Sequence, residues 1–374
     1  MSEHKSILCI VPLPPPVTGA NLVSETVVKY LRRRYAVTPL NYQKNSMKSG
    51  NFSLRQAFRV LKIGLRILGL RIKRVNFDYV YMVLSASFIG HLRDIFFLLT
   101  LGRDLRRKTV MHVHSSNAKK DISAILPPHL KNLAQSIFAD VRQGIVLGKT
   151  WLSIYGTYID SGRVVVINNY FDPSLLIPEE KLSAKFNTPD NVSILFLSNM
   201  IEEKGDNQLL GAFLRLPQNV RDSTELHFVG RFDSRSEELK FIKKWGDSKN
   251  ISYHGVLTGD KKRELFWKSH IFCLPTLHYY EAQPLVILEA YASGCAVITT
   301  ENGGIADIFA DEINGFYINN FRDPELCIIN LREKLEQLIV KRAGCKKMAI
   351  INHKIATEKY SKEKFHKRIE AVFH

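Results

Sequence analysis

Cysteine is scarce. The chain has five in 374 residues, Cys9, Cys273, Cys295, Cys327 and Cys345, odd in number and far apart. No C-x-x-C pair occurs, so neither a disulfide framework nor a zinc site is indicated, and the five are expected to be reduced packing residues. A G-x-G-x-x-G is also missing, which weighs against a nicotinamide or flavin site. There is no D-x-D, the aspartate pair that holds a nucleotide-bound divalent metal, and no metal is expected. No run of eighteen uncharged apolar residues exists, so no transmembrane helix is expected. The opening MSEHKSILCIVPLPPP has too short an apolar run for a secretory signal, and prolines close it. A cytoplasmic location is the expectation. The G-K-T of VLGKT (146–150) is a decoy: three β-forming residues separate Gly144 from Gly148 where a phosphate loop needs four flexible ones. His112 and His114 alternate on one strand face, but two imidazoles without a third ligand make a poor metal site.

Hydrophobic residues make up 45% and charged residues 24%, a globular composition, and the length favours two domains. The net charge of +17 is unevenly placed. Residues 1–185 hold 27 Lys/Arg against 11 Asp/Glu, and residues 186–374 hold 26 against 25, so nearly all the excess lies in the first half. Such a half suits an anionic partner: phospholipid, nucleic acid or a phosphorylated substrate.

Short β-like runs alternate with helical patterns throughout. Strands are expected at 6–13, 77–85, 108–114, 143–148 and 164–169 in the first half, and at 192–199, 225–231, 251–257, 270–276 and 295–301 in the second. A helix is expected from Asn21 to Tyr35. This rhythm argues for parallel sheets with crossover helices, in two doubly wound, Rossmann-like domains with a cleft between them. Their joint is expected at Asn169 to Asn191, where Pro173, Pro178 and Pro189 break the pattern. The limits are 1–175 and 185–355, with a final amphipathic helix at about 358–374.

Residues 52–75, FSLRQAFRVLKIGLRILGLRIKRV, contain no acid. Arg55, Arg59, Lys62 and Arg66 step by helical intervals, as do Leu54, Phe58, Leu61, Leu65, Leu68 and Ile72. One helix thus carries a basic stripe beside a wide apolar face. It reads either as a domain helix with a solvated edge or as a helix lying on an anionic membrane surface. Nucleic acid lacks any accompanying signature.

The segment EAQPLVILEAYASGCAVITTE (281–301) has a lone carboxylate, Glu289, inside an apolar run, eight positions after Glu281. Pro284 suits a helix start and Gly294 its stop, giving a helix over Pro284 to Ser293. A helix that follows a parallel strand begins at the carboxyl edge of its sheet, where α/β proteins bind ligands. The open amides of Leu285 and Val286 there would attract a phosphate. Glu289 needs donors, either from a ribose diol or from a basic neighbour in an ion pair.

E-A-Q-P-L-V-I-L-E-A resembles the E-x7-E segment of retaining glycosyltransferases of the GT-B fold, particularly glycosyltransferase family 4. The resemblance extends to IEEKGDNQLLGAF (201–213), LHFVGR (226–231), VVVINNYFD (164–172) and PPVTGAN (15–21). It implies that Glu289 holds the ribose of a nucleotide sugar, that Glu281 faces the sugar or its phosphate end, and that Lys204 neutralises the departing diphosphate. By the same resemblance Gly19 lets backbone approach the diphosphate and His114 is the first-domain histidine near the sugar. Asn199 stands where the family often has Arg, offering an amide donor without charge. Gly19-Ala20 stands where it often has two glycines. A turn glycine at 19 and a packed histidine at 114 are the plain alternatives, with His112 as competitor.

The resemblance implies retaining transfer of a hexose or N-acetylhexosamine from a nucleotide diphosphate sugar, without cofactor or metal. The basic first half suits a lipid-linked or anionic glycan acceptor in bacterial surface-polysaccharide synthesis, such as lipopolysaccharide, at the inner face of the cell membrane. The alternatives are a nucleotide-sugar epimerase of the same fold and, in another class, a basic nucleic-acid-binding protein.

Overall fold

The computed structural model describes residues 5–43, 54–85, 87–114, 127–152, 159–187, 191–246, 248–278 and 281–374. Pro189 and residues 52–53 of the basic stretch lie outside them. Two compact units divide the chain. One comprises Met1–Asn169, Tyr280–Gln283 and Glu363–His374; the other comprises Tyr170–Tyr279 and Pro284–Lys362.

The first unit runs β1 (Ser6–Val11), α1 (Gly19–Leu31), β2 (Ala36–Asn41), α2 (Leu54–Ile72), β3 (Tyr79–Leu84), α3 (Phe88–Arg106), β4 (Thr109–Val113), α4 (Pro128–Ala139), β5 (Gln143–Val146) and β6 (Val164–Val166). Its parallel sheet has the order β2-β1-β3-β4-β5-β6. The order reverses between β1 and β3, so the loops after those strands flank a topological switch point. β3 and β4 are buried at every position and β1 at all but Ser6, as strands covered on both sides are, and they show no apolar–polar alternation.

The second unit runs α5 (Glu179–Lys185), β7 (Val192–Leu197), α6 (Asp206–Leu214), α7 (Gln218–Asp222), β8 (Thr224–Val229), α8 (Arg235–Ile242), β9 (Ile251–Tyr253), α9 (Gly259–Lys268), β10 (Ile271–Leu274), α10 (Leu285–Ala292), β11 (Ala296–Thr299), β12 (Gly315–Tyr317), α11 (Pro324–Val340) and α12 (Arg342–Lys359). Its sheet is also parallel, in the order β12-β11-β10-β7-β8-β9. Here the switch point lies between β7 and β10. The last helix, α13 (Lys362–Ala371), belongs to the first unit, where Tyr30 donates to Glu370 at 2.6 Å and Phe373 packs edge-on against Tyr79.

Two strands were not expected, β2 and β12. Both are edge strands. Pro39 lies in the middle of β2 and breaks its pattern, which a sheet edge tolerates because one side of the strand needs no donor. β12 is three residues long, too short for any periodicity.

Candidate active site

The second unit brings two loops to its switch point. The loop after β7 carries Asn199, which is exposed, and the half-buried Lys204 in a short 3-10 turn, Glu202–Lys204. Gly205 ends that turn at φ 79°, and a Cβ there would sit 2.4 Å from the Pro275 carbonyl oxygen. Gly205 is therefore a backbone requirement: only glycine lets the turn that carries Lys204 close against the loop after β10. Three hydrogen bonds complete the clamp. The Glu203 carbonyl accepts from Leu277 N–H at 2.7 Å and from Thr276 Oγ1 at 3.4 Å, and its carboxylate accepts from His278 Nδ1 at 2.7 Å.

α10 follows β10. Pro284 is its N-cap rather than its first residue, so the helix starts at Leu285, one residue later than expected, with no side-chain cap. The amides of Leu285 and Val286 make no hydrogen bond among the described residues. They form the donor-rich end of a helix at the ligand edge of the sheet. Ile287, Leu288, Ala290 and Tyr291 are fully buried, and the two aliphatic side chains contribute about 2 kcal/mol each. At the far end Gly294 takes φ 64° and Cys295 N–H bonds to the Ala290 carbonyl, a Schellman closure. Lys185 Nζ donates to the carbonyls of Ser293 and Gly294, 2.9 Å each. Burial lowers the Lys185 ammonium below its usual range. The helix is thus fixed at its base while its first turn stays open.

Glu289 sits on this helix with 7% exposure, and Lys262 on α9 donates to both its carboxylate oxygens at 2.8 Å. Of the two sources of donors considered for this carboxylate, the basic neighbour is the one present. Sequence reasoning did not find Lys262. It lies in a K-K-R run 27 residues away, with no spacing to single it out. His278 and Lys185 were likewise unforeseen.

The first unit holds Gly19, His114 and Glu281. Gly19 opens α1 at the carboxyl edge of its sheet. The N-cap Thr18 accepts from Asn21 N–H, and the Asn21 amide donates to the Pro16 carbonyl at 2.7 Å. His114 lies one residue beyond β4, also at the carboxyl edge, and its ring nitrogens have no partner among the described residues. Burial pushes it down to about 3, so it is neutral at pH 7. His112 lies within the strand, completely buried, with Nδ1 2.8 Å from the Tyr81 hydroxyl and its ring 3.9 Å from that of His114. Of the two, His114 is the one at the ligand edge. Glu281 is buried in a loop anchored by Gln283, which donates to the Leu147 carbonyl and accepts from Asn169 N–H.

α2 carries Arg55, Arg59, Lys62 and Arg66 as expected, but its apolar line does not face the core. Leu54, Phe58, Leu61, Leu65, Leu68 and Ile72 are 36–83% exposed, while Ile63, Gly64 and Ile67 are buried. The Arg59 guanidinium reaches the Gln43 carbonyl. Among the described residues no helix is long and apolar enough to cross a membrane. A cavity of about 500 Å³ lies at the opposite, amino edge of the second sheet, lined by Asn191, Arg221, Asp222, Glu225, Lys249 and Asn250. None of the residues above reaches it.

Comparison with known proteins agrees with this geometry. An uncharacterized glycosyltransferase of Methanocaldococcus jannaschii is 26% identical over 171 residues, 44% of this chain and 43% of its own. Lipopolysaccharide 1,2-N-acetylglucosaminetransferase of Salmonella typhimurium is 25% identical over 219 residues, 56% of this chain and 57% of its own. The matched part of the chain thus spans about half the length of these curated relatives. HepE of Anabaena, crystallised with UDP and glucose, superposes with a TM-score of 0.69 at 16% identity over 99% of both chains. The fold is GT-B. Residues 178–372 match the family described as glycosyl transferases group 1, and the chain belongs to that family.

Proposed function

We propose that this protein is a retaining, metal-independent glycosyltransferase of family 4. It moves a hexose or N-acetylhexosamine from a nucleotide diphosphate sugar to a lipid-linked or anionic glycan acceptor in surface-polysaccharide synthesis. The observation that carries this reading is the convergence at one switch point of the clamped Lys204 turn and the open first turn of α10. In this reading the Lys204 ammonium and the amides of Leu285 and Val286 stabilise the diphosphate as the anomeric C–O bond breaks, an electrostatic role that needs no metal. Asn199 adds an uncharged donor, Glu289 holds the ribose, and Glu281 faces the sugar. Gly19 admits backbone to the diphosphate, and the neutral His114 lies near the sugar as a hydrogen-bonding group. The acceptor hydroxyl reaches the face that the diphosphate leaves. Two relatives support the substrate classes: the Salmonella protein is named for N-acetylglucosamine transfer in lipopolysaccharide, and the Anabaena protein was crystallised with UDP and glucose.

The exposed apolar line of α2, with its basic stripe alongside, supports peripheral attachment to an anionic membrane at its cytoplasmic face. Family membership favours glycosyl transfer over the epimerase and nucleic-acid alternatives. The test is a panel of UDP-, GDP- and ADP-sugars screened for thermal stabilisation, followed by product release with membrane extract. Stabilisation by one donor, abolished in Glu289→Ala, is expected. Equal stabilisation of wild type and variant would remove Glu289 from the site.

A further inference from the structure

Lys262 has no part in the reading above, yet it is the one described donor to Glu289. Its Nζ is equidistant from both carboxylate oxygens, so each oxygen spends one acceptor site on it. A carboxylate offers about four such sites, which leaves one open on each oxygen. A vicinal diol supplies two O–H donors. We propose that Lys262 is a positioning residue for the donor site: it sets the plane of the Glu289 carboxylate so that both oxygens face the ribose diol of the donor nucleotide. This rests on the donor-site reading of Glu289.

Three further observations support it. Both partners stand on fixed elements at the ligand edge: Glu289 on α10, closed at its base by Lys185, and Lys262 near the start of α9. The side chains remain partly accessible, 20% for Lys262 and 9% for Glu289. The pair is also neutral as a whole. A lone carboxylate near the diphosphate would repel it, whereas a paired one offers its lone pairs without that penalty.

The experiment is calorimetric titration of wild type, K262M, K262R and E289Q with UDP, GDP and ADP, then with the 2′,3′-dideoxy form of whichever binds. Wild type should prefer the ribose form by about tenfold or more, the scale of two charge-assisted hydrogen bonds. K262M should weaken both forms, because the unpaired carboxylate repels the diphosphate, but the ribose form by several-fold more, so that most of the preference is lost. K262R should restore it. K262Q, whose amide still donates to one oxygen, replaces K262M if the latter does not fold, and should show an intermediate preference. An undiminished preference in folded K262M or K262Q overturns the proposal. So does tighter ribonucleotide binding, which would make Lys262 a competitor for Glu289. Absence of any nucleoside diphosphate binding by wild type overturns the donor site itself and the proposal with it.

Discussion

His278 donates from Nδ1 to the Glu203 carboxylate at 2.7 Å, tying the loop after β10 to the turn that carries Lys204. The bond is partly exposed, with side-chain accessibilities of 29% and 64%, so it adds little to global stability. Its consequence is local. Two backbone-directed bonds already hold the Glu203 carbonyl, and the side-chain bond fixes the remaining rotation of the turn. H278A should leave the melting temperature almost unchanged and lower kcat/KM for the donor by about fivefold to tenfold, because Lys204 is then less well oriented. Steady-state kinetics with the identified nucleotide sugar measures this. An unaltered kcat/KM would show that the turn holds Lys204 without help from His278.

Gly205 has a sharper requirement. At φ 79° a side chain is strained, and the added methyl would meet the Pro275 carbonyl rather than a movable side chain. G205A should destabilise the protein by about 2 kcal/mol or more and lower the melting temperature by several degrees. Calorimetry against wild type decides it. A melting temperature equal to wild type would mean that the turn can reopen at no cost, and the clamp argument would fail with it.

His270 sets a pH dependence. Its Nδ1 accepts from Ser193 N–H at 3.1 Å and its Nε2 donates to the Lys185 carbonyl at 2.9 Å, which locks the neutral tautomer. Burial first, and the Lys185 charge second, push it down to about 4. The folded value lies below the unfolded one of about 6.5, so the unfolded chain binds more protons between the two. Stability is therefore whole above about pH 6.5 and falls as the pH drops toward 4. The loss from this residue is on the order of 3 kcal/mol, from about 1.4 kcal/mol per unit. Burial depresses His91 and His227 to about 4 as well, in the same sense. Urea unfolding at pH 7, 6, 5 and 4 should show a monotonic decline that is shallower in H270Q. A flat profile would mean that the imidazole can charge in place.

Much of this site could be read from the chain because its parts are local. Pro284, Gly294 and the apolar residues between them define one helix, and the strands around it are buried on both sides and so run apolar without alternation. Residues whose roles depend on packing could not be read. Lys262 reaches Glu289 only because α9 and α10, which precede and follow β10 in the chain, come together in the folded unit. β2 escaped because Pro39 is permitted only by its edge position, which is a property of the finished sheet. The periodicity of α2 gave its faces correctly but not which face would be buried. Ile63, Gly64 and Ile67 serve that purpose, and the broader apolar line was left outside.

That inversion yields a prediction with two arms. A basic stripe alone would bind anionic vesicles by charge, at about 1 kcal/mol per Lys or Arg, and release them as salt shortens the screening length. An exposed line of six apolar side chains adds a contribution that salt does not screen. Liposome flotation should therefore show binding to vesicles containing anionic phosphatidylglycerol that is weakened, not abolished, at 0.5 M salt, where the screening length is only about 4 Å. Replacing Arg55, Arg59, Lys62 and Arg66 by Gln should remove the salt-sensitive part. Replacing Leu54, Phe58, Leu61 and Leu65 by Ser should remove the salt-resistant part, and should leave the fold intact because none of the four is buried. If both quadruple variants float like wild type, α2 is not the membrane-facing surface.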